Sequence, residues 1–316
     1  MSPNSWTCLH PSNATEAKLS LDNRGLAYGD GFFTTMGVID GQILWLDYHQ
    51  QRLVSHAAAL QLQLDSQSLL AMLKTHAKQL QQGMLKLIIT RAEQEVRGYG
   101  YTPNIGGGSA CEIWLKSSPM AITTARSLPL ADGQFIPLQP AASAICLSSQ
   151  IACLPPPLAG LKSLNRLDNV LASGELQAIK AKTLAGTIKP SIAEGLLRDM
   201  SGQWVEGTMS NVFYQLVEAP VAKSSNRPHS QNNSSNYLTQ GQWYTPSMAQ
   251  SGVAGVMRQV IIDALANTER PVVMRSLHDE DLPRITRLFF CNALRGIMPM
   301  SSLRLLSGEV VSFEAI

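Results

Sequence analysis

The sequence predicts a two-lobed protein of mixed α+β and α/β character. Three observations carry this: strand-like and helix-like apolar spacings alternate in both halves, Pro155-Pro156-Pro157 punctuates the middle, and an apolar fraction of 45% can fill two cores. At 316 residues the chain is long enough for two ordinary domains. We place the lobes at 1–154 and 155–316.

In the first lobe the segments 32–39 and 42–46 read as a hairpin turning at Asp40-Gly41. From residue 47 to about 64 the apolar spacing is helical, through Leu53, His56, Ala57 and Leu60. A second helix begins near Asp65 or Ser66, either of which can cap it. Strands are expected at 84–90, 111–116 and 144–151, with a glycine-rich loop between the first two, at 97–103 and 106–108. In the second lobe a helix is expected at 165–182, strands at 195–199 and 204–216, a helix at 256–267, and strands at 272–275 and 287–292. The polar stretch at about 219–241 has almost no apolar residues to offset its ordering entropy, and reads as a disordered insertion.

Composition removes several classes. The formal net charge is +2 and no basic stripe interleaves with aromatics, so nucleic acid is not an expected partner. No apolar run reaches the ~18 residues of a membrane span. The first residues lack a charged-then-apolar leader pattern, and the five cysteines are scattered, as suits reduced thiols in a cytoplasm. The six histidines are dispersed without metal-ligand spacing, so no metal centre is expected. What remains is a soluble globular protein with a well-stocked core.

Three segments carry chemistry. Lys162 lies in Leu158-Ala-Gly-Leu-Lys-Ser-Leu-Asn-Arg-Leu167, whose apolar and small neighbours favour a desolvated, neutral and nucleophilic amine. Glu206 opens Glu206-Gly-Thr-Met-Ser-Asn-Val-Phe-Tyr214 within a strand of β-formers, and small residues beside it leave room for a planar ring. Ser251-Gly-Val-Ala-Gly-Val-Met-Arg-Gln259 ends a loop and opens a helix, so the Val256 and Met257 N–H groups form an anion cradle, with Arg52 as a charge partner. Together they are what an aldehyde cofactor with a phosphate tail requires: an imine-forming lysine, an acid for the ring nitrogen, and an anion site. Taken singly, each reads as readily as a solvated lysine, a surface glutamate, an ordinary helix start or a solvated arginine.

The order and wording of these segments resemble the fold-type IV family of pyridoxal-phosphate enzymes, which includes branched-chain and D-amino acid aminotransferases and aminodeoxychorismate lyases. The resemblance runs from Asn23-Arg-Gly-Leu-Ala-Tyr-Gly-Asp-Gly-Phe-Phe33 through His49-Gln-Gln-Arg-Leu53 to Phe290-Cys-Asn-Ala-Leu294, and residues 206–213 match the family signature. It implies a two-lobed fold with the cofactor, pyridoxal 5'-phosphate, between the lobes, in a homodimer. By the resemblance Lys162 forms the imine, Glu206 pairs the pyridine nitrogen, and Arg52, the Val256 and Met257 amides and Asn292 bind phosphate. Val253 packs on the ring face, and Asn211 orders the loop behind it. Arg97 and Tyr99 stand where related transaminases hold a substrate carboxylate. Within the family, the segments at 161–167 and 255–259 look most like the lyases. No tyrosine follows Lys162 before Leu176, Met257 stands where aminotransferases often have threonine, and Thr34 then Thr35 stand where many have glutamate. Either threonine is then a candidate to relay a proton or orient the ether oxygen of a lyase substrate. The alternatives are an aminotransferase of the same fold and a scaffold protein that has lost the cofactor.

Overall fold

The computed structural model describes residues 6–10, 18–103, 110–122, 126–130, 134–184, 192–217 and 237–313. The smaller sheet holds β1 (Trp6–His10), β2 (Gly31–Ile39), β3 (Gln42–Ile43), β4 (Gly83–Arg91) and β5 (Cys111–Pro119) in the order β1-β5-β4-β2-β3. Every pair in it is antiparallel. Helix α1 (Arg24–Tyr28) precedes β2; α2 (Leu46–Ala59) and α3 (Ser66–Leu80) lie between β3 and β4. The expected hairpin forms: Asp40 and Gly41 both take positive φ (50° and 70°), the pairing that a two-residue turn of this hand needs. Its second strand ends at Ile43 rather than at 46, because Trp45 adopts a left-handed conformation and Leu46 already opens α2. Asp65 caps α3, its carboxylate accepting the Ser68 N–H at 3.1 Å.

Alternation along β4 sets the two faces of this sheet. Leu85, Leu87 and Ile89 are buried against Leu53, Leu69 and Leu73 of α2 and α3. Each such side chain contributes about 1.5–3 kcal/mol by leaving water. Met84, Lys86 and Ile88 point to the other, half-buried face. Phe33 and Thr35 of β2 share that face, being the cross-strand partners of Ile88 and Lys86.

The larger sheet takes β6 (Arg126–Pro129), β7 (Phe135–Leu138), β8 (Ala142–Ile151), β9 (Ile192–Asp199), β10 (Trp204–Gly207), β11 (Asn211–Leu216), β12 (Tyr244–Thr245), β13 (Val273–Met274), β14 (Ile285–Asn292), β15 (Gly296–Arg304) and β16 (Val310–Ser312). Helix α4 (Leu167–Leu184) is the crossover between the parallel strands β8 and β9, and α5 (Val256–Leu265) follows β12. Pairing runs β11-β10-β9-β8-β15-β14 and back to β11, closing a ring. Closure removes the free edges that an open sheet would present. Cys146, Leu196, Trp204, Val212, Tyr214, Phe290 and Met300 pack together in the core of this region.

Several expectations change here. The segment 204–216 is not one strand: Thr208–Ser210 form a turn, and Glu206 pairs with Asn211 across it. Strand β8, expected in the N-terminal lobe, pairs within the larger sheet together with β6 and β7, so a boundary at 154/155 cuts that sheet. We propose the boundary between Pro119 and Arg126, where the pairing changes. Strands β1, β6, β7, β15 and β16 carry no strong alternation and were not foreseen. Most of the expected polar insertion and the glycine run at 106–108 lie outside the described residues. The insertion's last residues are packed rather than disordered: Tyr237 and Leu238 are buried beside Trp243, which supplies the apolar partner their polar neighbours lack.

Candidate active site

The two sheets meet through the segment that carries Lys162. The Phe33 N–H donates to the Lys162 carbonyl at 3.0 Å, and the Leu164 N–H donates to the Gly31 carbonyl at 3.0 Å. Ser163 thus bridges Phe32 in antiparallel fashion. On the other side, the Ala254 N–H donates to the Gly160 carbonyl at 2.9 Å. The Lys162 N–H itself donates to Nε2 of His56 at 2.9 Å, so that buried imidazole is neutral with its proton on Nδ1, facing the Ser55 hydroxyl. Burial and the nearby Arg52, Lys162 and Arg166 hold His56 down at about 3, which keeps it an acceptor at neutral pH.

The Lys162 amine lies 4.6 Å from the centre of the Phe33 ring. Burial first, then the charge of Arg52, lowers its pKa to about 7, with Lys86 adding to the effect. A substantial neutral fraction of the amine is therefore present at pH 7.

Glu206 is buried at the end of β10. Its Oε2 accepts the Val253 N–H at 2.8 Å, while Oε1 has only a long contact from Asn169 Nδ2 at 3.5 Å. Burial raises this carboxyl to about 7, against the pull of the Val253 N–H. A buried carboxylate with one oxygen weakly engaged and, among the described residues, no cation within ion-pair distance fits a protonated ring nitrogen as its partner. Asn211 completes the wall: its Nδ2 donates to the Val253 carbonyl at 2.8 Å. The Val253 backbone is thereby held between the two signature side chains.

The candidate anion site lies at the start of α5. Helix α5 has Gly255 as N-cap, no side-chain cap and no acidic residue in its first turn. Its first intrahelical bond runs from the Gln259 N–H to the Gly255 carbonyl, leaving the Val256, Met257 and Arg258 N–H groups without an intrahelical acceptor. Arg52 sits at this mouth, donating from Nη2 to the Ala254 carbonyl at 2.7 Å. Burial lowers Arg52 to about 10, still cationic at neutral pH. Gly255 is needed by space: a Cβ there would lie 1.9 Å from Oδ1 of Asn211. Gly255→Ala is expected to cut affinity for the phosphate-bearing cofactor by about tenfold or more, since the cradle must open. Titration of the cofactor into the variant checks this; unchanged affinity would place the anion elsewhere.

Other predicted residues are placed differently. Asn292, expected at the phosphate, uses its Oδ1 to accept the Leu294 and Arg295 N–H groups, at 3.1 and 2.8 Å, and so orders a turn, while its Nδ2 has a long contact with the Met209 carbonyl at 3.5 Å. Arg97 is exposed and Tyr99 is 85% exposed, edge-on to Tyr28. Their loop is tied to the smaller lobe by Arg24, which donates to the Tyr99 carbonyl at 3.2 Å. The Thr34 hydroxyl is engaged by His49 and Arg52, whereas Thr35 shares the face of Phe33 and Lys86. Sequence reading passed over Lys86, His49, His56 and Asn169. Only Lys86 left a signal, as a lone charge inside an apolar strand.

Glu206 and Lys162 give the cofactor-free protein a definite pH response. The folded chain keeps the Glu206 proton between about 4.5 and 7 while the unfolded chain releases it, so this contribution is lost as pH rises through that window. The folded chain gives up the Lys162 proton near 7 while the unfolded chain keeps it to about 10.5, so stability rises with pH above 7. Buried His49 and His56, both held at about 3, make stability rise with pH up to about 6.5 and oppose the Glu206 trend, so the contribution of this pair is read as a difference between wild type and variant. In thermal unfolding of the cofactor-free proteins, the stability of the double variant Lys162→Met, Glu206→Gln should rise more steeply than that of wild type between about pH 4.5 and 7 and less steeply above 7; parallel profiles would mean that neither group titrates as described.

A desolvated lysine, a buried acid and a capless helix mouth with an arginine are thus brought together between the two sheets. The chain belongs to the amino-transferase class IV family, whose model matches residues 31–303. It is 23% identical over 289 residues to an aminodeoxychorismate lyase of Vibrio harveyi, covering 91% of this chain and 88% of the relative. Among solved structures it is similar to 4-amino-4-deoxychorismate lyase of Pseudomonas aeruginosa, with TM-score 0.69, 29% identity and coverage of 94% and 90% of the two chains. The branched-chain amino acid aminotransferase of Escherichia coli shares the fold, at TM-score 0.64, 18% identity and coverage of 94% and 84%. Among the described residues no helix is long and apolar enough to cross a membrane.

Proposed function

We propose that the protein is an aminodeoxychorismate lyase that uses pyridoxal 5'-phosphate to convert 4-amino-4-deoxychorismate to 4-aminobenzoate and pyruvate. The observation that carries this is the pairing of a near-neutral Lys162 with buried Glu206 at the seam between the sheets. Likeness to two lyases along most of the chain supports the substrate class.

The cofactor, when bound, supplies an aldehyde for the substrate amine and a ring that accepts an electron pair from the neighbouring carbon. Arg52 and the α5 amides would hold its phosphate, and Glu206 would hold a proton at its ring nitrogen. Lys162 would hold the cofactor's aldehyde carbon at rest and, once displaced by the substrate amine, would take the proton from the substrate carbon bearing that nitrogen. Loss of that proton would let the substrate's own bond to the enolpyruvyl oxygen break, the substrate ring becoming the aromatic ring of 4-aminobenzoate and the departing enolate taking a proton to become pyruvate. Thr35, which shares the open face with Phe33 and Lys86, would serve that oxygen, since the Thr34 hydroxyl is engaged by His49 and Arg52.

The substrate carries two carboxylates. Lys86 lies 5.4 Å from the Phe33 ring centre, on the far strand from Lys162, and Lys116 is directly opposite it on β5. Like charges placed opposite each other cost stability unless an anion joins them. Lys86→Met is expected to raise KM about tenfold or more with a smaller change in kcat, from loss of one charge-assisted contact. Steady-state kinetics check it, and an unchanged KM would leave the carboxylate to Arg97 and Tyr99. The homodimer belongs to the same proposal and is tested by sedimentation of the cofactor-bound protein.

Stoichiometric release of pyruvate, followed with a coupled lactate dehydrogenase, tests the lyase reading. Conversion of the bound cofactor to its amine form by ordinary amino acids, without pyruvate from the dicarboxylate, would instead establish the aminotransferase.

A further inference from the structure

We propose that His49, acting through Thr34, is a positioning residue that fixes Arg52 for the cofactor phosphate. This rests on the reading that Arg52 holds that phosphate. His49 and Thr34 are both fully buried. His49 lies on α2 one turn before Arg52, on the same helix face, and Thr34 lies on β2 beneath them.

Arg52 can only donate, so its Nη1 donates to Oγ1 of Thr34 at 3.4 Å. We assign the remaining hydroxyl proton of Thr34 to Nδ1 of His49, 2.9 Å away, which leaves His49 neutral with its own proton on Nε2. Burial and the charge of Arg52 disfavour the imidazolium and keep it in that form. The chain runs one way, from guanidinium to hydroxyl to imidazole.

Two features separate this from ordinary packing. Nε2 of His49 is buried with no hydrogen-bond partner among the described residues. An orphan donor in a core costs stability, so an apolar side chain would serve packing better. What histidine offers here, and leucine lacks, is the acceptor at Nδ1. Arg52 is also held at its other end by the Ala254 carbonyl, which directs it to the mouth of α5. Thr34 supplies the second point of attachment, and a planar fork fixed at two points loses little freedom on meeting a phosphate.

The test is a titration of pyridoxal 5'-phosphate into cofactor-free protein, read by absorbance, with the 31P resonance of the bound phosphate as a second readout. Thr34→Val and His49→Leu should each weaken binding by roughly tenfold and shift the 31P resonance. Thr34→Ser and His49→Asn, which restore a hydroxyl and an acceptor, should return affinity to within about threefold of wild type. His49→Leu added to Arg52→Met should cause no further loss, because the two act as one unit. Wild-type affinity and an unshifted resonance in both Thr34→Val and His49→Leu, with Arg52→Met still weak, would overturn the role of His49 alone. Wild-type affinity in Arg52→Met would overturn the phosphate assignment and the proposal with it.

Discussion

Lys162→Ala is expected to reduce turnover by a factor on the order of 10⁴ or more, because under the proposed mechanism one amine would hold the cofactor and also act as general base. Cofactor should still bind through the anion site and Glu206, but as the free aldehyde, so its absorption should lose the imine band. Loss of turnover with that spectral change separates a chemical role from misfolding. Added methylamine is expected to restore part of the rate by supplying a base. A variant that turned over at the wild-type rate would end the mechanism, whatever its spectrum.

Glu206→Gln is the second large effect. The amide oxygen of glutamine can still accept the Val253 N–H, so the wall built from Val253 and Asn211 should stand. What the amide cannot do is balance a positive ring nitrogen. Turnover is expected to fall by about 10²–10⁴ while cofactor affinity changes far less. The absorption of bound cofactor should also respond to pH differently, since the group that holds the ring proton has changed. Unchanged turnover would mean that Glu206 is a structural carboxylate, and that its elevation to about 7 reflects burial alone.

The local parts of this site were legible in the sequence because they are written in contiguous residues. The capless start of α5 shows in Gly255-Val-Met, and the desolvated setting of Lys162 shows in its apolar flanks. Glu206 and Asn211 are visible as a spaced pair, although the intervening turn was hidden by strand formers on both sides. What could not be read is pairing between distant segments. The hydrogen bond from the Lys162 N–H to His56 joins residues 106 positions apart, and that from Arg52 to Ala254 joins residues 202 apart. Composition offers no trace of either. His49 and His56 look like any helix histidines until their neighbours are known.

The same limit explains the fold. Strand β15 contains Pro299 and lacks a clean alternation, yet it is bordered by β14 and β8 and closes the ring. Proline is normally confined to edges because it cannot donate to a ladder. Here closure of the barrel outweighs the local preference. The boundary near Pro155 was a reasonable reading of a proline run, but strand pairing, which decides lobe membership, lies beyond local composition.

The most direct test follows 4-aminobenzoate by its fluorescence after cofactor-loaded protein is mixed with 4-amino-4-deoxychorismate. A rise in that signal, with one pyruvate for each product molecule and none with Lys162→Ala, is the expected result. No 4-aminobenzoate from protein that visibly binds the cofactor would contradict the lyase assignment.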